Sequence, residues 1–439
     1  MTILITPRRF TGTVIIPASK SHTIRQLLIA ALAGGKSVVK QPLDSLDTRS
    51  CIAACKTFGA GITAFKDIED IISWQITGIE GFKGASCPKN AKIDVGNSGT
   101  TLYLALAVAA LQGEPVIFTG DEQIQKRSAA PLLGALAGLG IQSESNNGCA
   151  PITIQGPWKG GKVSLSCPTS QYLSALLIAA PLAPAGTVTE IDVPLLNEKP
   201  YVEMTLSYLK KHGIPFEAAP DFSNFVIPGG SSWTAFTDTV PGDFSSAAFP
   251  AAAAAITGGP VSILGLDPDD SQGDKFFFEM LEKMGCTVKW EKGCHRTNGS
   301  APTLPSVTVS REGALRGGTF DLNETPDLLP AAAAVAAFAQ GDTALVNVAH
   351  ARIKETDRIA VMRSELAKLG VDCTERPDGL IIHGKGALSP VENPVIDGHG
   401  DHRIVMAFAA AAAGSPVPVQ ITTAECAEVT YPGFFEDFK

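Results

Sequence analysis

The chain has 439 residues, a net charge of −9, 45% apolar residues and only 18% charged side chains. This length and apolar content exclude a disordered chain and predict two compact domains of roughly 200 residues each. The acidic balance argues against nucleic acid or an anionic membrane surface as a partner.

The sequence gives no sign of a membrane or secreted protein. No apolar stretch approaches the roughly 20 residues that a membrane-spanning helix needs, and the opening MTILITPRRF lacks the apolar segment and cleavage site of a secretory signal. The nine cysteines are an odd number without a CxxC motif, which indicates reduced thiols in the core rather than a disulfide framework. We therefore expect a cytoplasmic protein.

Six similar segments recur about 70 to 80 residues apart. Each has a polar opening, an apolar helix of small residues about three turns long, a glycine stop and a short strand. The segments begin, in chain order, at Ser19, Gly99, Thr169, Ser245, Thr325 and Asp401. Such regular spacing predicts six structural repeats, and the alternative is a single long α/β domain with unrelated alanine-rich helices.

A second, more amphipathic helix is predicted after most of the openings. These helices are expected at 48–58, 131–139, 202–212, 275–284 and 355–369. Short β-branched or alternating runs predict strands at 12–16, 71–76, 163–165 and 307–309. Each repeat is thus expected to form a small sheet with two helices, and three repeats to form a domain, with the midpoint of the chain near 241–243.

Basic and hydroxyl side chains cluster in or beside the helix openings. A helix N-terminus offers unpaired N–H groups and a partial positive charge, so several that face one cleft would trap anions. The clustered residues are Lys20, Ser21, Arg25, Lys126, Arg127, Thr169, Ser170, Gln171, Arg352, Lys354, Arg358, His402 and Arg403. In an acidic chain they predict a doubly anionic ligand or two anionic ligands, although each residue alone is also explained as a solvated charge or a cap.

Two carboxylates lie among these cations. Asp327 in TPDLLP and Glu355 in KETDR are each placed to serve as a general acid or base. Asp327 also fits the role of a helix-capping residue, which the local sequence alone favours.

Other catalytic signals are weak. His399 and His402 in HGDH resemble a metal pair, but no further ligands follow at a suitable spacing, so we expect no metal site. The nucleotide-binding motifs GxGxxG and GxxxxGK[ST] are absent, as is the GxSxG motif of serine hydrolases. Cys294 and His295 are adjacent in the chain, a poor arrangement for a thiolate and its base, and are expected to be structural or surface residues.

A series of motifs resembles one known family. PASKSHTIRQLLIAAL, GNSGTT, TSQYLSALLIAAPLA, NEKPY, TPDLLP, KETDR and GDHR occur in this order from about Thr6 to about Phe438. The series is similar to that of the 5-enolpyruvylshikimate-3-phosphate synthase (3-phosphoshikimate 1-carboxyvinyltransferase) family. The sister family, UDP-N-acetylglucosamine enolpyruvyl transferase, uses Lys-Asn in the first opening and usually a loop cysteine, whereas this chain has Lys20-Ser21 and no cysteine near Arg127.

The resemblance implies an α/β fold, a two-domain clamshell of six βαβαββ repeats with the active site in the interdomain cleft. One domain would comprise residues 19–240 and the other residues 1–18 plus 241–439. The implied reaction moves the enolpyruvyl group of phosphoenolpyruvate onto the 5-hydroxyl of shikimate 3-phosphate in aromatic amino acid biosynthesis. It proceeds by addition and elimination, releases phosphate and uses no cofactor. We expect a monomer.

The resemblance also assigns roles to individual residues. The catalytic residues would be Asp327 as acceptor of the hydroxyl proton, Glu355 at the methylene carbon of phosphoenolpyruvate, and Lys20. Shikimate 3-phosphate would bind to Lys20, Ser21, Arg25, Thr169, Ser170, Gln171, Glu198, Tyr201, Asp327, His350 and Lys354. Phosphoenolpyruvate would bind to Lys20, Gly99, Arg127, Gln171, Arg358 and Arg403.

The chain departs from the family pattern at four positions. Tyr103 replaces an arginine, Glu198 a phosphate-binding serine, His350 an asparagine and Val429 a lysine. A carboxylate beside a phosphate dianion is repelled by several kcal/mol unless it is protonated or turned away. The alternatives are therefore a divergent member of the family, a related enzyme with a different hydroxylated acid as acceptor, and a non-catalytic anion-binding protein.

Overall fold

The computed structural model describes residues 1–66, 71–82, 87–293 and 304–438. The chain forms two compact units, one of Ala18–Val240 and the other of Met1–Pro17 together with Pro241–Lys439. Over the described residues, no helix is both long enough and apolar enough to cross a membrane.

The first 240 residues contain fourteen of the described strands and six of the described helices. In chain order they are β1 (Ile3–Ile5), β2 (Gly12–Ile15), α1 (Lys20–Leu32), β3 (Lys36–Lys40), α2 (Leu46–Thr57), β4 (Gly61–Lys66), β5 (Ile72–Thr77), β6 (Ala91–Asp94), α3 (Gly99–Ala109), β7 (Val116–Thr119), α4 (Ala130–Gly138), β8 (Gln142–Asn146), β9 (Cys149–Gln155), β10 (Gly161–Ser164), α5 (Gln171–Ala179), β11 (Val188–Asp192), α6 (Lys199–Lys211), β12 (Glu217–Ala218), β13 (Asn224–Pro228) and β14 (Thr237–Thr239).

The rest of the described chain continues the same alternation of helices and strands. Its elements are α7 (Phe244–Thr257), β15 (Val261–Leu264), α8 (Phe276–Lys283), β16 (Thr287–Glu291), β17 (Ser306–Ser310), β18 (Leu315–Arg316), β19 (Thr319–Asp321), α9 (Leu329–Ala336), β20 (Ala339–Val346), α10 (Arg358–Lys368), β21 (Asp372–Arg376), β22 (Gly379–Lys385), β23 (Val395–Asp397), α11 (His402–Ala413), β24 (Val419–Thr422) and α12 (Phe434–Asp437).

The described strands form six small sheets, three in each unit. In the unit of residues 18–240 the strand orders are β14-β3-β5-β4, β6-β7-β9-β8 and β10-β11-β13-β12; in the other they are β16-β17-β15-β2, β18-β20-β22-β21 and β1-β24-β23. One pattern recurs, in which a parallel pair such as β6 and β7 is followed by an antiparallel hairpin such as β8 and β9. The predicted α/β class and the predicted repetition are confirmed.

Strand pairing explains why residues 1–17 pack with the second half of the chain. β2 lies parallel to β15, with Val14 opposite Ile263, and β1 lies antiparallel to β24. In the other unit β14 lies parallel to β3. The strands β1, β2 and β14 thus complete sheets whose other strands lie far away in the sequence.

The helices rich in small residues occupy the interior of each unit. In one unit α3 packs against α1 and α5, and in the other α7, α9 and α11 pack against one another. All residues of α9 and α11 are buried, including the alanine runs Ala331–Ala334 and Ala409–Ala413. Alanine side chains allow the helix backbones to approach closely while sheets and other helices cover the remaining faces.

Capping residues set the starts of these helices. The side chains of Ser19, Ser98, Asp243 and Asp401 each accept a hydrogen bond from a backbone N–H in the first turn of the helix that follows. The predicted start of α10 at Glu355 is wrong, because Asp357 accepts from the N–H of Ala360 and the helix begins only at Arg358.

Candidate active site

The predicted site residues fall into two groups, one in each unit. Lys20, the first residue of α1, lies 3.1 Å from Asp47 in the first turn of α2. The two side chains are only 14% and 6% exposed. The pair holds the lysine amine at the N-terminal end of α1, and sequence reasoning missed Asp47 as its partner.

Arg25 is a buried hydrogen-bond donor inside the same unit. Its guanidinium donates to Thr205 Oγ1 at 2.9 Å, to Ser174 Oγ at 3.3 Å and to the carbonyl oxygens of Ser21 and Tyr201, both at 3.1 Å. Burial lowers its pKa to about 10, although nearby groups, including Glu198, oppose this shift. Arg25 thus ties the backbones at Ser21 and Tyr201 together, which brings these three predicted residues into one cluster.

The start of α5 holds a carboxylate. Oε2 of Glu198 accepts from Thr169 Oγ1 at 3.0 Å, from the Ser170 N–H at 3.0 Å and from Ser170 Oγ at 2.9 Å. Glu198 is 2% exposed. The three residues predicted to meet the phosphate of the acceptor are thus hydrogen-bonded to one another.

A second cluster forms where α3 begins. A Cβ atom placed on Gly99 would lie 2.7 Å from Nη1 of Arg127 and 3.8 Å from Oε1 of Gln171. Nη2 of Arg127 lies 3.5 Å from Oδ1 of Asn97. Three residues predicted to bind phosphoenolpyruvate therefore meet here, and a larger residue than glycine would force the guanidinium of Arg127 to move.

Tyr103, where the family usually has arginine, supports the loop that carries Arg127. The hydroxyls of Tyr103 and Tyr172 both donate to the carbonyl of Ser128, at 3.3 and 2.5 Å, and their rings pack edge to face. Tyr103 thus holds the backbone at Ser128, next to Arg127, by a hydrogen bond and does not add a second positive charge.

In the other unit, Asp327 joins two arginines. Its Oδ1 accepts from Arg358 at 2.7 Å and its Oδ2 from Arg403 at 2.9 Å. Asp327 lies in the single 3-10 turn Pro326–Leu328 that precedes α9. Both of its oxygens are taken by guanidinium groups, so the interpretation as a helix cap has no support.

Arg358 contacts three carboxylates. Besides Asp327, it donates to Glu355 at 2.5 Å and, through Nε at 2.8 Å and Nη2 at 3.2 Å, to Asp401. Its side chain is fully buried. Asp401 also caps α11, and sequence reasoning missed it as a partner of Arg358, although its position directly before His402 and Arg403 marks it as a capping residue.

These charges set the protonation state of the cluster. Burial alone would raise the pKa of Asp327, but the charges of Arg403, Lys354 and Arg358 outweigh burial and hold that pKa well below its usual range. Burial alone would lower the pKa of Arg358, but Asp401, Glu355 and Asp327 raise it. Asp327 is therefore ionised, with its charge shared by two guanidinium groups.

The remaining predicted residues of this unit lie beside the cluster. Lys354 is half-buried, and its charge acts on Asp327. His350 is buried in the 3-10 turn Ala349–Ile353, and its Nε2 donates to the carbonyl of Asn323 at 3.0 Å.

Asp274 is a further buried acid that sequence reasoning did not single out. It is 1% exposed, Oδ2 accepts from the hydroxyl of Ser245, and Oδ1 is buried without a hydrogen-bond partner among the described residues. Burial, reinforced by the charge of Asp327, raises its pKa to about 7 despite the opposing effect of Arg403. No local motif marks Asp274, since its environment comes from distant parts of the chain.

The eight described cysteines are free thiols, and five of them are buried. His399 pairs with Glu365 at 3.1 Å. Cys294 and His295 lie outside the described residues, and within those residues no group of three or more His, Cys, Asp or Glu side chains is arranged to hold a metal ion.

Comparisons with known proteins identify the class. Residues 5–438 match the family model of EPSP synthase (3-phosphoshikimate 1-carboxyvinyltransferase). A 3-phosphoshikimate 1-carboxyvinyltransferase of Acetivibrio thermocellus is 43% identical over 99% of this chain and 96% of its own length. One of Methanothrix thermoacetophila is 43% identical over 100% and 98%. EPSP synthase from Acinetobacter baumannii superimposes with a TM-score of 0.79 at 27% identity, covering 99% of this chain and 97% of that chain.

The fold and these matches define an enzyme of the transferase class. The chain belongs to the EPSP synthase family, as its motifs predicted, and the assignment to aromatic amino acid biosynthesis in the shikimate pathway is confirmed. The roles of the individual site residues stay predictions.

Proposed function

We propose that this protein transfers the enolpyruvyl group of phosphoenolpyruvate to the 5-hydroxyl of shikimate 3-phosphate. The observation that carries the proposal is the Asp327 carboxylate, which accepts hydrogen bonds from Arg358 and Arg403. Arg358 also donates to Glu355. Two fixed cations suit an anionic substrate, and two carboxylates suit the two proton transfers of addition and elimination.

In the addition step the acceptor oxygen bonds to C2 of phosphoenolpyruvate. Asp327 takes the hydroxyl proton, and Glu355 delivers a proton to C3, which turns the methylene into a methyl group. In the elimination step Glu355 takes a proton back from C3, the bond from C2 to the phosphate oxygen breaks, and the phosphate leaves with the proton that Asp327 had accepted. The sum is transfer of one enolpyruvyl group and release of one phosphate.

The cations control the base strength of Asp327. Without substrate, Arg403 and Arg358 hold its pKa low, so the carboxylate is a weak base. The carboxylate and phosphate of phosphoenolpyruvate compete for the same guanidinium groups, and each hydrogen bond that they take from Asp327 raises its proton affinity. Substrate binding and base activation are therefore coupled.

The other unit supplies the groups for the acceptor and further contacts to phosphoenolpyruvate. Lys20 presents an amine beside the start of α1, and Thr169 with Ser170 presents donors at the start of α5. Gly99, Arg127 and Gln171 form a neighbouring cluster with one guanidinium.

The direct test is phosphate release with phosphoenolpyruvate and shikimate 3-phosphate together, compared with each substrate alone. Release that needs both substrates, with a product of the expected mass, supports the proposal. No turnover at millimolar substrate contradicts it. Unphosphorylated shikimate in a parallel reaction tests the alternative acceptor. A cytoplasmic monomer that needs no cofactor remains our expectation.

A further inference from the structure

The hydrogen-bond donors at the start of α5 already hold an anion that belongs to the protein. Three donors, the Thr169 hydroxyl and the N–H and hydroxyl of Ser170, converge on Oε2 of Glu198 at 2.9 to 3.0 Å. All three residues are buried, at 7%, 1% and 2% exposure. This set of donors is built for a negatively charged oxygen.

The backbone of Glu198 is shaped to place its carboxylate there. Glu198 has φ 59° and ψ 42°, a left-handed conformation that glycine and asparagine adopt far more readily than glutamate. It occupies the N-cap position of α6, yet its side chain does not cap that helix. The carboxylate instead bridges to α5, so the strained position serves the donors of Thr169 and Ser170.

The nearby charge fits an anion at this place. The Glu198 carboxylate interacts electrostatically with the buried guanidinium of Arg25, with Cys167 and with Tyr172. Of these three, only Arg25 is a cation at neutral pH. A phosphate dianion that entered beside the Glu198 carboxylate would place two like charges on one set of donors.

We infer that Glu198 determines how the enzyme binds a phosphorylated acceptor: its carboxylate occupies the phosphate-binding donors, and the acceptor's phosphate binds only by displacing it. The inference rests on the proposed function. Glu198 is therefore a specificity-determining residue that weakens binding of shikimate 3-phosphate without contacting phosphoenolpyruvate.

The test compares Glu198→Gln and Glu198→Ser with the parent protein. Gln keeps the length and an accepting oxygen but lacks the charge, while Ser vacates the donors. Glu203→Gln is the matched control, because Glu203 is an exposed residue of α6. Its substitution removes the same charge away from the donors of Thr169 and Ser170. Calorimetry measures the Kd of shikimate 3-phosphate without phosphoenolpyruvate, and steady-state kinetics gives the KM of each substrate.

Both Glu198 variants are expected to lower the Kd of shikimate 3-phosphate about tenfold or more, because one like charge is removed. The KM of phosphoenolpyruvate and all values of the Glu203 control should stay within about twofold. Weaker or unchanged binding in both variants overturns the inference, since Glu198 would then only brace α5 against α6.

The experiment separates this inference from the proposed function. If the parent protein binds shikimate 3-phosphate but gives no product with phosphoenolpyruvate, the proposed function fails while the Kd comparison still decides the role of Glu198. If the parent turns over and the Glu198 variants bind no better, only the present inference fails.

Discussion

The replacement Asp327→Asn should affect catalysis and phosphoenolpyruvate binding in opposite directions. The amide has nearly the same shape as the carboxylate but cannot accept the hydroxyl proton. General-base catalysis contributes about 10²- to 10⁴-fold to a rate, and we expect kcat to fall by about that factor. Binding of phosphoenolpyruvate should improve, because Arg358 and Arg403 lose a competing anion.

The structure sets the size of the binding gain. Opposite unit charges about 4 Å apart interact by about 4 kcal/mol when the effective dielectric constant is about 20. Asp327 makes two such contacts, at 2.7 and 2.9 Å, but its side chain is 20% exposed and the cluster keeps Glu355 and Asp401. Release of even about 1.4 kcal/mol of this attraction lowers the Kd about tenfold.

The assay combines steady-state phosphate release with equilibrium binding of phosphoenolpyruvate to the parent and the variant. Glu324→Gln is the control, because Glu324 is an exposed acid three residues away. A variant that keeps its kcat within about threefold of the parent would show that Asp327 is not the proton acceptor. Weaker phosphoenolpyruvate binding in the variant would show that these arginines do not hold that substrate.

Three further changes test other parts of the site. Gly99→Ala places a methyl group 2.7 Å from the guanidinium of Arg127, so the KM of phosphoenolpyruvate should rise without loss of thermal stability. An unchanged KM would show that Arg127 does not bind this substrate. Folding favours the protonated form of Asp274, so the parent should lose a few kcal/mol of stability as the pH rises from the ordinary pKa of 3.8 through about 7. Asp274→Asn should abolish this loss. Urea unfolding at pH 5 and pH 8 measures the effect, and an unchanged pH dependence in the variant contradicts the prediction. Asp401→Asn should lower the stability by roughly 3–5 kcal/mol and slow turnover, because Arg358 loses a buried charged partner. Calorimetric melting and steady-state kinetics test this, and a melting temperature equal to that of the parent refutes it.

The repeats and the starts of the buried helices were predictable because their signals are local. Ser19 and Asp401 lie directly before the helices that they cap, and the small residues that follow are buried as expected. The start of α10 was misplaced because Asp357 caps the helix, which leaves Glu355 outside the helix with its carboxylate on Arg358. Helix boundaries depend on which of several polar residues acts as the cap.

The contacts of the charged side chains were harder to predict. Arginine is rarely buried, yet Arg25 and Arg358 are, because each finds several oxygen partners on elements distant in sequence. The environment of Asp274 depends in the same way on tertiary packing. In contrast, Glu198 stood out in the sequence as a departure from its family, and the structure added where its carboxylate lies.

Nuclear magnetic resonance of the reaction in heavy water tests whether the enolpyruvyl group is transferred by addition and elimination. The substrates are phosphoenolpyruvate labelled with carbon-13 at C3 and shikimate 3-phosphate. We expect an enolpyruvyl ether on the 5-hydroxyl, free phosphate, and deuterium in the vinyl methylene group because C3 passes through a methyl group. Pyruvate as the product, or an ether without deuterium after many turnovers, would contradict it.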